Sequence, residues 1–306
     1  MSKKLLLVFL MLPGLLFAQY ERPGSTDAQF LKIGVSARAT GMGNAYIAVV
    51  EGAEATYYNV AAIARIKGTG IAFNHTKWFA GINHDFFAAT HTMGRIGSFG
   101  LSMTALYTDE MDVRTPLQPD GTGETFYATN YRIGISYARY LTDRVSFGGT
   151  INYINMSLFS DFTADAVSLD IAVLYVTNFR GFRFGMKIAN FGSEAKYVNE
   201  SYPLPTNFTF GLSMNAIQGN DHKVLTSFSA IKPNDGQPLG QLGVEWNYRN
   251  LFFVRAGYRP NHDVATYSFG TGIQFNMNER KLGFDYSYSD FALLGAAHRF
   301  GIGFAL

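Results

Sequence analysis

The stretch Tyr131-Arg132-Ile133-Gly134-Ile135-Ser136-Tyr137-Ala138 decides the fold. Large apolar side chains take every second position, and Arg132, Gly134, Ser136 and Ala138 stand between them. Successive side chains of a strand point to opposite faces, so this stretch offers one greasy face and one small or charged face. The pattern repeats outward. Phe182, Phe184, Met186 and Ile188 alternate with Arg183, Gly185 and Lys187, and Tyr267, Phe269, Ile273, Phe275 and Met277 alternate with Ser268, Gly270, Gly272, Gln274 and Asn276. A soluble sandwich alternates too, but its outer face needs many Lys and Glu side chains. Here only 16% of residues are charged and 15% are aromatic. The apolar face is therefore the outer one, and the chain reads as an all-β transmembrane antiparallel barrel of about 14 strands.

The first residues say how the chain reaches a membrane. Lys3 and Lys4, the apolar run Leu5 to Leu12, the break at Pro13-Gly14 and the small exit residue Ala18 form a secretory signal, 1–18, cleaved before Gln19. That run is too short to cross a bilayer as a helix, and no later segment has the roughly 20 apolar residues that crossing requires. Only a closed barrel satisfies every strand backbone group in lipid, which places the chain in the outer membrane of a Gram-negative bacterium. There is no cysteine, hence no disulfide, thiolate metal site or lipid-anchored cysteine. The net charge is +2, and no basic cluster with interleaved aromatics occurs, so no nucleic-acid partner is expected.

Barrel strands fill 68–306. Tight connections at Gly94-Arg95, Thr142-Asp143, Asn178 to Arg180, Gly219-Asn220, Arg249-Asn250 and Asn278-Glu279 alternate with longer ones, of which Asp109 to Glu124, Ser193 to Pro205 and Lys232 to Gln237 are the longest. Short periplasmic turns and longer extracellular loops alternate in this way in outer-membrane barrels. Charges test the register. Arg132, Asp170, Arg183, Lys187, Arg255 and Asp285 fall on the polar phase and are expected to face the lumen, while Asn74, His75, Lys77, His84 and Asp85 leave the first two strands ambiguous. Arginine at Phe184 or Ile273 should be costly, and at Gly185 or Gly272 tolerated if the lumen has room.

Residues 19–67 differ. The segment is dense in small residues, weakly helical, and too apolar, with Tyr46, Ile47, Val49, Val50, Tyr57 and Tyr58, to be a disordered leader. It is expected to fill the lumen as a hatch. Gly41 and Gly43 permit close backbone approach or positive φ, Arg38 can pair with an inward carboxylate such as Asp170 or Asp285, and Asn59 can hydrogen-bond its own backbone in a turn.

Two elements here, Ala37-Arg38-Ala39-Thr40-Gly41-Met42-Gly43-Asn44-Ala45 and Asn59-Val60-Ala61-Ala62, resemble the N-terminal signature of the PorV/PorQ family, which is related to the FadL-type outer-membrane transporters. The resemblance implies a fourteen-stranded barrel with a lumen hatch in which Arg38, Gly41, Met42, Gly43, Asn44, Asn59 and Ala61 are structural or gating residues. Val60 stands where that family has Pro, which frees φ and restores a backbone donor. The alternation Phe300, Ile302, Phe304, Leu306 likewise resembles the terminal strand signal of outer-membrane barrels.

Chemistry-bearing patterns are sparse. The six histidines are scattered without metal-ligand spacing, no Gly-x-Ser-x-Gly elbow occurs, and neither Gly121-Thr122-Gly123 nor Gly41-Met42-Gly43 makes a phosphate cradle. No cofactor, metal or enzymatic activity is expected. The resemblance implies work with type IX secretion, with translocon or attachment proteins and the C-terminal signal domains of cargo as partners alongside outer-membrane lipid. The FadL relationship implies the alternative, passive uptake of a hydrophobic small molecule.

Overall fold

The structure, a computed structural model, describes residues 22–159, 162–262, 264–278 and 280–306; the expected signal peptide lies outside them. Fourteen strands close one antiparallel barrel in chain order. They are β1 (Thr69–Lys77), β2 (Ile82–Thr92), β3 (Ser98–Thr108), β4 (Thr129–Tyr140), β5 (Val145–Phe159), β6 (Phe162–Val176) and β7 (Arg183–Gly192). β8 (Asn207–Gln218), β9 (His222–Pro233), β10 (Leu239–Tyr248), β11 (Phe252–Tyr258), β12 (Tyr267–Met277), β13 (Arg280–Asp290) and β14 (Ala296–Ala305) complete the wall. Closure is β14 on β1, from Gly70 opposite Ala305 to Lys77 opposite His298. Among the described residues no helix is long and apolar enough to cross a membrane; the strands do so.

Alternation sets the faces. Ile133, Ile135 and Tyr137 point outward and are exposed, whereas Arg132 and Ser136 between them are buried in the lumen. In the ambiguous first strands, Asn74, Thr76 and His84 turn inward. His75 and Asp85 sit opposite one another on the outer face, bonded Nδ1 to Oδ1 at 2.7 Å, and Tyr107 donates to the same carboxylate at 3.0 Å. These outward polar groups lie near the 78–81 connection, where they satisfy one another rather than meet mid-depth lipid alone.

The longest connections, 109–128, 193–206 and 259–266, lie at one end of the barrel, where short ones such as 78–81 also occur, and those at the other end, such as 141–144 and 219–221, are all short. One expectation needs correction: Lys232 and Pro233 stay paired with Phe208 and Asn207, so β9 runs on and the following connection shrinks to 234–238, while 259–266 is longer.

The segment before β1 packs inside. A 3-10 turn at Gln29–Lys32 leads to α1 (Ala37–Gly41), α2 (Ala55–Tyr58) and a second 3-10 turn, Val60–Arg65. Ser36 caps α1, its side chain accepting from Ala39 N. The path traverses the lumen. Asp27 N donates to Pro203 O at 3.0 Å among the long connections, and at the opposite end Arg65 Nη2 donates to Arg144 O at 2.8 Å beside a short turn. α1 lies against β11, β12 and β13, and the second 3-10 turn lies against β4, β5 and β6. The core is accordingly formed between plug and wall, with Met42, Tyr46, Val50, Val60 and Ile63 packed with Ala138, Ala172 and Leu174.

Candidate functional site

The plug seats on the wall through glycine. A Cβ on Gly41 would come within 3.0 Å of Gly270 Cα, and one on Gly257 would collide with the backbone nitrogen of Gly43. A Cβ on Gly243 would come 2.6 Å from Met42 O. Gly41, Met42 and Gly43 thus lean backbone-first on inward glycines of β10, β11 and β12, a separation that no larger residue permits. Gly43 also has φ +63°, and its N–H donates to Ser268 Oγ at 3.1 Å. Asn44, at the same positive φ, turns the chain; its buried Oδ1 faces Gly34 without a hydrogen-bond donor.

Arg38 projects from α1 to Glu245 on β10, Nε to Oε2 at 2.8 Å and Nη2 to Oε1 at 2.7 Å. The expected partners Asp170 and Asp285 are otherwise engaged. Arg255 on β11 binds Glu245 Oε2 at 2.6 Å and Asp285 Oδ1 at 2.6 Å, so four charges on the plug and three strands alternate in sign. Sequence reasoning missed Glu245, although its place between Val244 and Trp246 puts it on the inward phase. It also missed Glu54, which accepts from Ser36 Oγ at 2.7 Å and Asn74 Nδ2 at 2.9 Å. A sequence-local reading of the plug has no phase by which to aim such a residue.

A second charged group lies across the lumen. Asp170 on β6 accepts from Arg132 Nη2 at 3.0 Å, from Asn190 N at 2.8 Å and pairs with Lys187 Nζ at 3.2 Å. Both cations stand over the Tyr57 ring, at 5.1 and 5.4 Å, and Lys187 donates to the Tyr57 carbonyl. α2 is thereby held to the wall by its backbone as well as by its ring. Below it Asn59 replaces the missing Pro with side-chain bonds: Oδ1 accepts from Ala61 N at 3.2 Å and Nδ2 donates to Ile47 O at 2.9 Å. The chain turns into the 3-10 segment at Val60 all the same. Arg183 reaches Glu51 of the plug at 2.6 Å.

The upper end of the plug is tied by Asp235, in the 234–238 connection, which takes Lys32 Nζ at 2.7 Å and also the Thr26 hydroxyl. Burial works to raise this carboxyl, but hydrogen bonds from Lys32 and Thr26 and the Lys32 charge hold it below its ordinary value.

Between plug and wall remains a cavity of about 240 Å³. Ile33, Ile47 and Ile231 give it apolar walls, and Asn44, Arg132 and Lys187 bring polar groups to it. Among the described residues no group of His, Asp and Glu side chains is arranged to hold a metal. The lumen as a whole is a mixed apolar and hydrogen-bonding space occupied by a plug tied to the wall by charged pairs.

A family model described as type IX secretion system protein PorV matches residues 17–233. No curated protein sequence matches the chain. Among solved structures, the barrel is similar to the Pseudomonas putida toluene transporter TodX, with TM-score 0.60, 12% identity, and 89% of this chain and 96% of that one covered. The Ralstonia pickettii toluene transporter TbuX gives TM-score 0.58 at 12% identity, over 89% of this chain and 97% of that one. The monoaromatic hydrocarbon channel CymD gives 0.56 at 12% identity, over 89% and 96%. At such identity the likeness is one of fold. The family match is more than that, since it runs through the plug and β1 to β9: this outer-membrane β-barrel belongs to the family of the type IX secretion system protein PorV.

Proposed function

We propose that this barrel is a non-enzymatic component of type IX protein secretion, which meets translocon or attachment proteins and the C-terminal signal domains of cargo at its long-connection end. The family match over residues 17–233 is the observation that carries this reading. The filled lumen agrees with it: a plug held at Glu245, Lys187 and Asp235 leaves no path for a folded cargo through the barrel, so cargo would be handled outside it. The exposed connections 109–128 and 193–206 offer surface for that contact.

Uptake of a hydrophobic compound is the second reading. It is favoured by the partly apolar cavity beside the plug and by the fold shared with toluene transporters. Shortening Asp109 to Glu124 or Ser193 to Pro205 separates the two. On the secretion reading, cargo at the cell surface falls while the barrel still assembles and hydrophobic uptake is unchanged. Normal surface cargo in a strain lacking this protein and its close paralogues sinks that reading. Loss of uptake with normal cargo establishes the other.

A further inference from the structure

Arg299 stands apart from the paired lumen charges. It lies on β14, 2% exposed, directly opposite Thr76 of β1, which in turn sits directly opposite His84 of β2. Three inward side chains therefore form one row across the seam where the barrel closes, with neighbouring Cβ atoms roughly 4.5–5.5 Å apart. Among the described residues no carboxylate pairs with Arg299. Its Nη1 reaches only Ser289 Oγ at 3.4 Å, and the guanidinium stands 5.0 Å from the Trp78 ring centre. Arg299 Nε, Thr76 Oγ1 and both ring nitrogens of His84 are buried without a hydrogen-bond partner. Arg259, from the 259–266 connection, is near enough to repel Arg299 and adds to the positive field.

An arginine cannot shed its proton, and a buried charge left alone is destabilising. The hydroxyl and imidazole beside it can each donate a hydrogen bond. Donors gathered around a fixed positive charge call for an oxyanion, which would satisfy the guanidinium edge, Thr76 and His84 together. Trp78, which faces Arg299, packs in turn against Phe79 and Phe291. On the plug side, the Tyr58 hydroxyl accepts from the backbone nitrogens of Val35 and Ser36 and lies within electrostatic range of Arg299.

We propose that Arg299, His84 and Thr76 form a receptor inside the barrel for one oxyanion group, carboxylate or phosphate, of a ligand. The proposal stands whether the barrel serves secretion or uptake.

Isothermal titration of the full-length barrel in detergent, in buffer low in competing anions, tests it with two probes, inorganic phosphate and octanoate. Saturable binding of one anion per chain is expected, weakened at least tenfold by Arg299→Gln. Preference for phosphate assigns a free anion or phosphate headgroup, and preference for octanoate assigns an acid with an apolar tail. Thr76→Val removes only a hydroxyl and His84→Phe only the ring donors, so each should weaken binding several-fold even if Arg299→Gln fails to assemble. No saturable binding of either probe to the wild type overturns the proposal, as does binding that the assembled Arg299, Thr76 and His84 variants leave unchanged.

Discussion

Arg38 of the plug and Glu245 of the wall meet by two parallel hydrogen bonds, at 2.8 and 2.7 Å, although 207 positions separate them in the chain. A two-pronged contact of this kind fixes orientation as well as distance, so it sets how α1 rests on β10. Removing Glu245 strands Arg38 in the lumen, whereas removing Arg38 leaves Glu245 paired with Arg255. Glu245→Met should lower stability by about 3–5 kcal/mol and Arg38→Met by less, since Arg255 still holds Glu245, and the Arg38→Met/Glu245→Met pair should lose less than the sum of these two singles. The temperature at which the purified barrel loses its compact mobility on gels reads this; additive losses would show that the two residues are not coupled.

Gly257→Ala should separate the plug from the wall, because its Cβ would strike the backbone of Gly43. Gly303→Ala, whose Cβ meets nothing within 4 Å, is the matched control. Limited proteolysis of assembled protein should cut the plug of the first variant faster and leave the second as wild type. Equal protection of both would mean that the plug seats elsewhere.

The lipid face has its own test. Ile273 points outward from β12, and arginine there should cost roughly 2–4 kcal/mol and reduce assembly. The structure removes the contrast expected at the neighbouring glycines: a Cβ at Gly272 would strike Asp285 Oδ1, and at Gly185 it would come 2.8 Å from Ile47 O. Arginine at Gly185 should therefore impair folding through the plug, and at Gly272 through the Arg255–Asp285 pair of the wall, rather than through lipid. Deleting the plug would distinguish the causes, rescuing Gly185→Arg and leaving Ile273→Arg defective.

Asp235 predicts a pH dependence. Its folded pKa lies below the ordinary 3.8, so the stabilisation it gives the Lys32 tether is complete above that value and is lost as pH falls below it through the folded pKa. Protease access to residues near Thr26 should rise in acid below about pH 4. Asp235→Asn should show that raised access already at neutral pH and respond less to acid. A wild-type profile flat down to pH 2 would remove Asp235 as the tether.

By itself the sequence determined the barrel. Period-two alternation with an aromatic outer face has one stable solution in lipid, because strands there must pair on both edges, and it located Arg132, Asp170, Arg183, Lys187, Arg255 and Asp285 on the inner face without reference to any neighbour. What those residues touch was decided only in three dimensions. Arg38 had three inward carboxylates within the same lumen to choose from, and its choice of Glu245 follows from where Gly41 and Gly43 can approach Gly270 and Gly257, a backbone fit between segments more than 200 positions apart. The row of Arg299, Thr76 and His84 exists only because β14 closes on β1, which brings the end of the chain beside its first strands. Alternation tells a side chain which way to face; barrel closure and the seating of the plug tell it what it meets.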